Sequence, residues 1–161
     1  MKRRLVVLLS FALVMFAFAP AAMAGHGNGA PNGNHTASLK AQNEVQMPAV
    51  ESDAAGQAVF KFRNGALSFK LIVANIDNVL AAHIHCAPAG ENGPVGVTLF
   101  SGGPVTTNGI LSQGAITAPD PGNGCGWSSL ADVFSAIESG DTYVNVHTPA
   151  FPAGEIRGQI R

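Results

Sequence analysis

Charged side chains are scarce in this chain: lysine, arginine, aspartate and glutamate make up 12% of its 161 residues. Three of the nine basic residues, Lys2, Arg3 and Arg4, stand at the start of the sequence. Beyond them, six basic residues face ten acidic ones, a net charge of about −4. No basic run is left to neutralise a phosphate backbone, so we expect no nucleic acid among the partners.

Several catalytic signatures are also missing. The sequence has no Gly-x-Ser-x-Gly nucleophile elbow, no His-Glu-x-x-His helix and no phosphate-binding glycine loop. After the first 24 residues it has no apolar run of the roughly 20 residues that a membrane span needs. The sequence therefore favours a non-catalytic protein without a membrane span in its mature form.

The first 24 residues predict a secretory signal peptide. A basic start is followed by an uncharged apolar run over 5–19 and by the small-x-small pattern Ala22-Met23-Ala24. The apolar run is shorter than a membrane anchor requires. We expect cleavage after Ala24, a secreted or periplasmic protein, a flexible Gly/Asn-rich spacer over 25–37 and one domain over 38–161.

Cysteine is nearly absent, with only Cys86 and Cys125 in the chain. In an exported protein a cysteine pair is typical of a disulfide. The alternative, two thiolate metal ligands, usually shows a close Cys-x-x-Cys spacing. Here 39 residues separate the two, so we predict a disulfide.

Alternating hydrophobic patterns predict strands through most of the chain. The clearest is a hairpin about Asn64-Gly65, a preferred two-residue turn. Its predicted register pairs Phe62 with Leu67, Phe60 with Phe69 and Ala58 with Leu71, all on one face. Further strands are predicted at 79–86, 95–100, 109–117, 142–147 and 155–160. One helix is predicted from the cap Ser129 to Gly140. The pattern predicts an all-β Greek-key β-sandwich with one short helix in a crossover.

Three histidines form the candidate metal site. His83 and His85 share one face of their strand, at a spacing that suits one metal ion. Alternating valines place His147 on the outer face of its own strand, where it could join them. Imidazole suits copper and zinc, and it binds when neutral, so affinity should fall as pH drops through about 6.5. The alternative is a hydrogen-bonded structural pair with His147 elsewhere.

Two neighbours of this site have predicted supporting roles. Glu155 could orient a histidine by accepting a hydrogen bond from its ring, or pair with Arg157 in solvent. His26 and His35 fall in the predicted spacer and are interpreted as incidental. His26 would be the second residue after cleavage, able to chelate a metal weakly with the free amine.

Five motifs resemble the CHRD domain, which is named after chordin; one lies in the first half of the chain and four in the second half. They are Glu44–Pro48, Ala81–His85, Pro88–Val95, Tyr143–Thr148 and Gly154–Ile160, in that order. The resemblance covers about residue 38 to the end and implies a β-sandwich. Chordin binds secreted growth factors, so the resemblance implies a module that binds an extracytoplasmic protein or surface ligand.

A shorter resemblance is to the copper side of Cu,Zn superoxide dismutase. It implies that His83, His85 and His147 match copper ligands and that Arg157 matches the arginine that guides the anion. The sandwich predicted from the strand pattern is of the superoxide-dismutase-like or immunoglobulin-like kind. No histidine lies between His85 and His147, so the bridging and zinc-loop ligands have no counterparts. The hypotheses rank as a binding module first, a copper- or zinc-binding protein second and a dismutase-like oxidoreductase third.

Overall fold

The structure, a computed structural model, describes residues 32–161. The signal peptide, the first part of the spacer and His26 lie outside the described residues, so those predictions are not addressed by the fold. The described elements are β1 Gly33–Lys40, a 3-10 turn Ala41–Asn43, β2 Ala55–Arg63, β3 Ala66–Ala74, β4 Val79–Cys86, β5 Val95–Val105, β6 Gly109–Ile116, α1 Leu130–Glu138, β7 Thr142–His147 and β8 Ile156–Gln159.

The hairpin of β2 and β3 has the predicted register. Phe62 lies opposite Leu67, Phe60 opposite Phe69 and Ala58 opposite Leu71. Asn64 and Gly65 form the turn with φ of 51° and 76°, values that this turn type requires and that Asn and Gly tolerate best. The prediction made from the Asn-Gly pair is confirmed.

The eight strands form one antiparallel sheet in the order β5-β4-β7-β8-β1-β2-β3-β6. The two edge strands of the sheet lie close to each other, as one hydrogen bond shows: Ser112 of β6 donates to the carbonyl of Leu99 of β5 at 2.7 Å. The sheet therefore curls around a core in a sandwich-like or barrel-like arrangement. The chain passes from β5 at one edge of the sheet to β6 at the other edge, where β6 pairs with β3. The predicted all-β class is confirmed.

Helix α1 makes the crossover from β6 to β7. The Ser129 hydroxyl accepts from the Asp132 amide and the Asp132 carboxylate accepts from the Ser129 amide, a complete capping box. Val133 and Ile137 are buried against the sheet, and Phe134 packs on Phe62 with ring centroids 4.4 Å apart. The amphipathic stripe of this short helix thus closes one side of the core, as predicted.

The predicted spacer is wrong in its last part, because β1 begins at Gly33 rather than after residue 37. Thr36 exchanges two backbone hydrogen bonds with Arg161, at 2.7 and 2.9 Å. Ala37 and Leu39 point inward and are buried. The segment resembles a spacer in composition. It is a strand because it pairs with β2 on one side and with β8 on the other, which satisfies its backbone hydrogen bonds.

The predicted Cys86–Cys125 disulfide is present, with the two Cα atoms 5.9 Å apart. It ties the end of β4 to the irregular segment that precedes α1. Within residues 32–161 no helix is long and apolar enough to cross a membrane.

Candidate metal centre

Strands β4 and β7 bring the three predicted histidines together. In their antiparallel register His83 lies opposite Asn145, His85 opposite Tyr143, and His147 opposite Ala81. Because side chains alternate along a strand, all three rings emerge on one face. Ring centroids are 5.0 Å apart for His83 and His147, 5.7 Å for His83 and His85, and 5.9 Å for His85 and His147.

One ring nitrogen from each histidine lies within 4.8 Å of the other two. Nitrogens bound at about 2.1 Å to one tetrahedral ion are about 3.4 Å apart. The rings therefore need only small rotations to share an ion.

Two of the three rings are oriented by backbone carbonyls. Nδ1 of His85 lies 2.9 Å from the carbonyl oxygen of Gly93, and Nδ1 of His147 lies 3.1 Å from that of Pro152. A carbonyl can only accept, so Nδ1 of each ring carries the proton and Nε2 keeps its lone pair. Such outer contacts are typical of metal-binding histidines.

Three buried nitrogens at this site have no hydrogen-bond partner among the described residues: Nδ1 of His83, Nε2 of His85 and Nε2 of His147. A buried polar atom without a partner costs free energy and is uncommon in folded proteins. Here three of them belong to rings in one cluster. The arrangement offers one metal-binding donor per histidine.

Burial keeps these imidazoles neutral. Desolvation, followed by the neighbouring His147 and His85, lowers the pKa of His83 from 6.5 to about 4. Burial also lowers the pKa values of His85 and His147, although the carbonyls of Gly93 and Pro152 oppose the shift. Neutral rings have free lone pairs, which is the state that binds a metal.

A carboxylate lies beside His83. Thr98 of β5 is opposite His83 in the β4–β5 register, and its hydroxyl donates to Oδ2 of Asp120 at 2.6 Å. The negative charge of Asp120 favours protonation of His83, which partly offsets the lowering of its pKa by burial. Asp120 was not predicted from the sequence, because this residue reaches the site from the loop after β6 and belongs to no strand pattern.

The face that carries the histidines is covered, although the sequence predicted that it faces solvent. His85 is 8% exposed, and Tyr143 and Asn145 are buried. The loop after β4 covers the face: the Gly93 amide donates to the Tyr143 hydroxyl at 3.2 Å, and that hydroxyl lies 3.3 Å from the Gly93 carbonyl. Strand periodicity predicts the face on which a side chain lies, but not the loop that folds over it.

Glu155 contacts other groups than the predicted ones. One of its carboxylate oxygens accepts from Ser52 and the other from Thr148, both at 2.7 Å. Within the described part of the chain no hydrogen bond joins Glu155 to the three histidines and no ion pair joins it to Arg157. Its two oxygens are occupied in anchoring the loop between β7 and β8, which carries Pro152.

Arg157 reaches the cluster through an aromatic ring. Its guanidinium lies 3.4 Å from the centroid of Tyr143, and Tyr143 stacks on His85 with centroids 4.8 Å apart and an angle of 8°. The guanidinium also donates to Oδ1 of Asn92 at 2.9 Å and to the carbonyl of Glu91 at 2.6 Å. Tyr143 shares a face with His147 by strand period, so the sequence pattern could have indicated it as a neighbour of the site.

Glu44 lies on the same covered face. It accepts a hydrogen bond from the Asn145 side chain at 3.3 Å. Burial raises its pKa from 4.5 to about 7, against the lowering influence of Asn145 and Arg157. Gly154 leaves room for this amide, because a Cβ there would lie 2.2 Å from Oδ1 of Asn145.

The fold and site define an all-β domain with a cluster of three histidines, one buried and two half-buried, beside a disulfide. The family model of the CHRD domain matches residues 35–160, and the chain belongs to that family. No curated protein and no solved structure matches the chain. The resemblance to the copper side of superoxide dismutase therefore stays a prediction.

Proposed function

We propose that this protein is an exported CHRD-domain binding module that holds a copper or zinc ion with His83, His85 and His147. The observation that carries the proposal is the group of buried ring nitrogens that lack a hydrogen-bond partner among the described residues. In an apolar setting one unpartnered nitrogen is a defect, whereas three in one cluster form a ligand set.

The proposed donors are Nδ1 of His83 and Nε2 of His85 and His147. The carbonyls of Gly93 and Pro152 hold two of the rings in the tautomer that presents Nε2. Three imidazoles leave one position open for water or a fourth ligand. Divalent copper should bind more tightly than zinc, following the general order of affinities at nitrogen sites.

Membership of the CHRD family supports a second candidate, a non-catalytic module that binds an extracytoplasmic protein or surface ligand. The disulfide is compatible with an oxidising compartment outside the cytoplasm. The two functions are compatible, because a metal ion bound by the histidines can stabilise the loop after β4 that covers them, without occupying the rest of the surface. The first candidate is the one that the side-chain geometry supports.

Copper and zinc titrations of the parent and of His83→Ala, His85→Ala and His147→Ala test the metal proposal. Each variant should bind about a hundredfold more weakly or worse, since it loses one of three ligands. His35→Ala is the matched control, because His35 lies in the same domain but contacts Glu138 at 2.9 Å and not the cluster. Affinities that are equal in the parent and the three cluster variants would make the cluster structural and leave the second candidate alone.

A further inference from the structure

A polar cavity of about 380 Å³ opens on the outer face of β1 and β8, on the other side of Arg157 from the histidines. Alternate residues of the two strands supply its floor, and Ala89 and Gly90 of the loop after β4 supply one wall. Its polar lining residues are Thr36, Ser38, Asn43, Arg157, Gln159 and Arg161. No carboxylate side chain lines it.

Arg157 is a buried cation with no direct ion pair among the described residues; burial lowers its pKa, and Tyr143 and the Glu44 carboxyl oppose the shift. It is 2% exposed, and its hydrogen-bond acceptors are the neutral oxygens of Asn92 and of the Glu91 backbone. Within residues 32–161 the only ion pair joins His35 and Glu138. A buried charge is costly unless an opposite charge compensates it, so this wall of the cavity favours an anion.

Positive charge is concentrated around the cavity in a domain that is otherwise acidic. Arg161 lines it, and Lys40 lies opposite Arg157 in the pairing of β1 with β8. These three are half of the six basic residues that follow the predicted leader. One acidic residue, Glu91, follows the lining residue Gly90 in the sequence. Glu91 is exposed and does not line the cavity.

The lining also offers uncommitted hydrogen-bonding groups. The amide nitrogen of Gln159 donates to the carbonyls of Ala87 and Gly140, and that of Asn43 donates to the carbonyls of Ser38 and Arg157. Their side-chain oxygens, and the hydroxyls of Thr36 and Ser38, have no hydrogen-bond partner in the described part of the chain. Amide oxygens accept from hydroxyl groups of a ligand, and hydroxyls can donate or accept.

We propose that this cavity binds a small hydroxylated molecule that carries a carboxylate, such as a uronic-acid sugar. The planar guanidinium fork of Arg161 matches a carboxylate, the charge of Arg157 attracts one, and the hydroxyl and amide groups match the sugar hydroxyls. The volume lies within the range of small-molecule sites. The site is separate from the metal proposal and needs no metal ion.

The test is a titration of the full chain by NMR or calorimetry with three probes: glucuronate, glucose and inorganic sulfate. Glucuronate should bind saturably, glucose should bind far more weakly because it lacks the charge, and sulfate should bind more weakly because it cannot use the amide oxygens. Arg161→Ala should weaken glucuronate binding by about tenfold, the order expected for loss of a charge-assisted hydrogen bond. Ser38→Phe should abolish it by filling the cavity.

Two matched controls should bind glucuronate like the parent: Arg63→Ala, whose guanidinium contacts Asn34 and the carbonyls of Gly33 and Phe62, and Ser68→Phe on the exposed face of β3. A variant without the three cluster histidines should also keep glucuronate binding, which separates this proposal from the metal site. Any of three results would overturn the proposal. They are binding of glucose or sulfate as tight as that of glucuronate, no saturable glucuronate binding at millimolar concentration, and unchanged glucuronate binding in Ser38→Phe.

Discussion

At the scale of single residues, the candidate site depends on which nitrogen each histidine presents. Backbone carbonyls occupy Nδ1 of His85 and His147, whereas Nδ1 of His83 is itself the unpartnered atom. The strand period predicted that His83 and His85 share a face, and valine alternation predicted the orientation of His147. The carbonyl partners come from loop conformations that no local pattern encodes, so the tautomers could not be predicted.

Between about pH 7.5 and 5.5, metal affinity should fall by much less than it would for three histidines with ordinary pKa values. Three histidines with ordinary pKa values near 6.5 would lose about a thousandfold in affinity at pH 5.5, because each would bind a proton in competition. Burial lowers the pKa of His83 to about 4 and lowers those of His85 and His147. The structure thus moves the expected loss of affinity to a lower pH than the sequence indicated. Zinc titrations at the two pH values measure this, and a thousandfold drop would contradict it.

Glu44→Gln should become more stable relative to the parent as pH rises. The folded-state pKa of Glu44 is raised from 4.5 to about 7, so the folded protein holds a proton that the unfolded chain releases. The stability that Glu44 contributes is therefore present at low pH and is lost as pH rises from 4.5 to about 7. Glutamine keeps an oxygen for the Asn145 amide and does not titrate.

Thermal unfolding of both proteins at about pH 5 and pH 8 measures the difference. Glu51→Gln, at an exposed glutamate, is the matched control and should show no such trend. A stability difference between Glu44→Gln and the parent that stays constant across this range would rule the interpretation out.

At the scale of elements, the sequence predicted most strands and the helix. The β2–β3 hairpin was predictable in full because Asn64-Gly65 fixes the register locally. The first strand was not, because Gly33–Lys40 has the composition of a spacer and is a strand only through pairing with β2 and β8. The cover over the histidines was not predictable either, since it depends on contacts such as that of Gly93 with Tyr143, which are 50 residues apart.

The disulfide should stabilise the domain substantially. It closes a loop of 39 residues between β4 and the segment before α1. The chain-entropy model gives about 3–4 kcal/mol for a loop of this length. Denaturant unfolding of the Cys86→Ser/Cys125→Ser double variant should show a loss of that order, and a loss below about 1 kcal/mol would contradict the expectation. Ser68→Ala, at an exposed serine on β3, serves as the control.

The same double variant should weaken metal binding less than any histidine variant. Cys86 directly follows His85, and its amide donates to the Pro94 carbonyl, next to the Gly93 carbonyl that orients His85. Loss of the disulfide therefore loosens one outer contact of the site and removes no ligand. Metal titration of the double variant beside His85→Ala compares the two effects directly.

At the scale of the whole molecule, export is the prediction that the fold does not address. The basic start, the uncharged run and Ala22-Met23-Ala24 predict that the mature chain begins at Gly25. The intact mass of protein recovered outside the cytoplasm should match residues 25–161. Recovery of the full 161-residue chain in the membrane fraction would contradict the prediction.

A metal that binds the folded domain should also stabilise it, because binding to the native state alone shifts the unfolding equilibrium. The central claim is nonetheless about position: one ion shared by three named nitrogens. The most direct measurement is an anomalous-scattering map of crystals grown with copper or zinc. We predict one strong peak at about 2.0–2.1 Å from Nδ1 of His83, Nε2 of His85 and Nε2 of His147. A map without a peak there, or with its main peak at His26 or His35, would contradict the account.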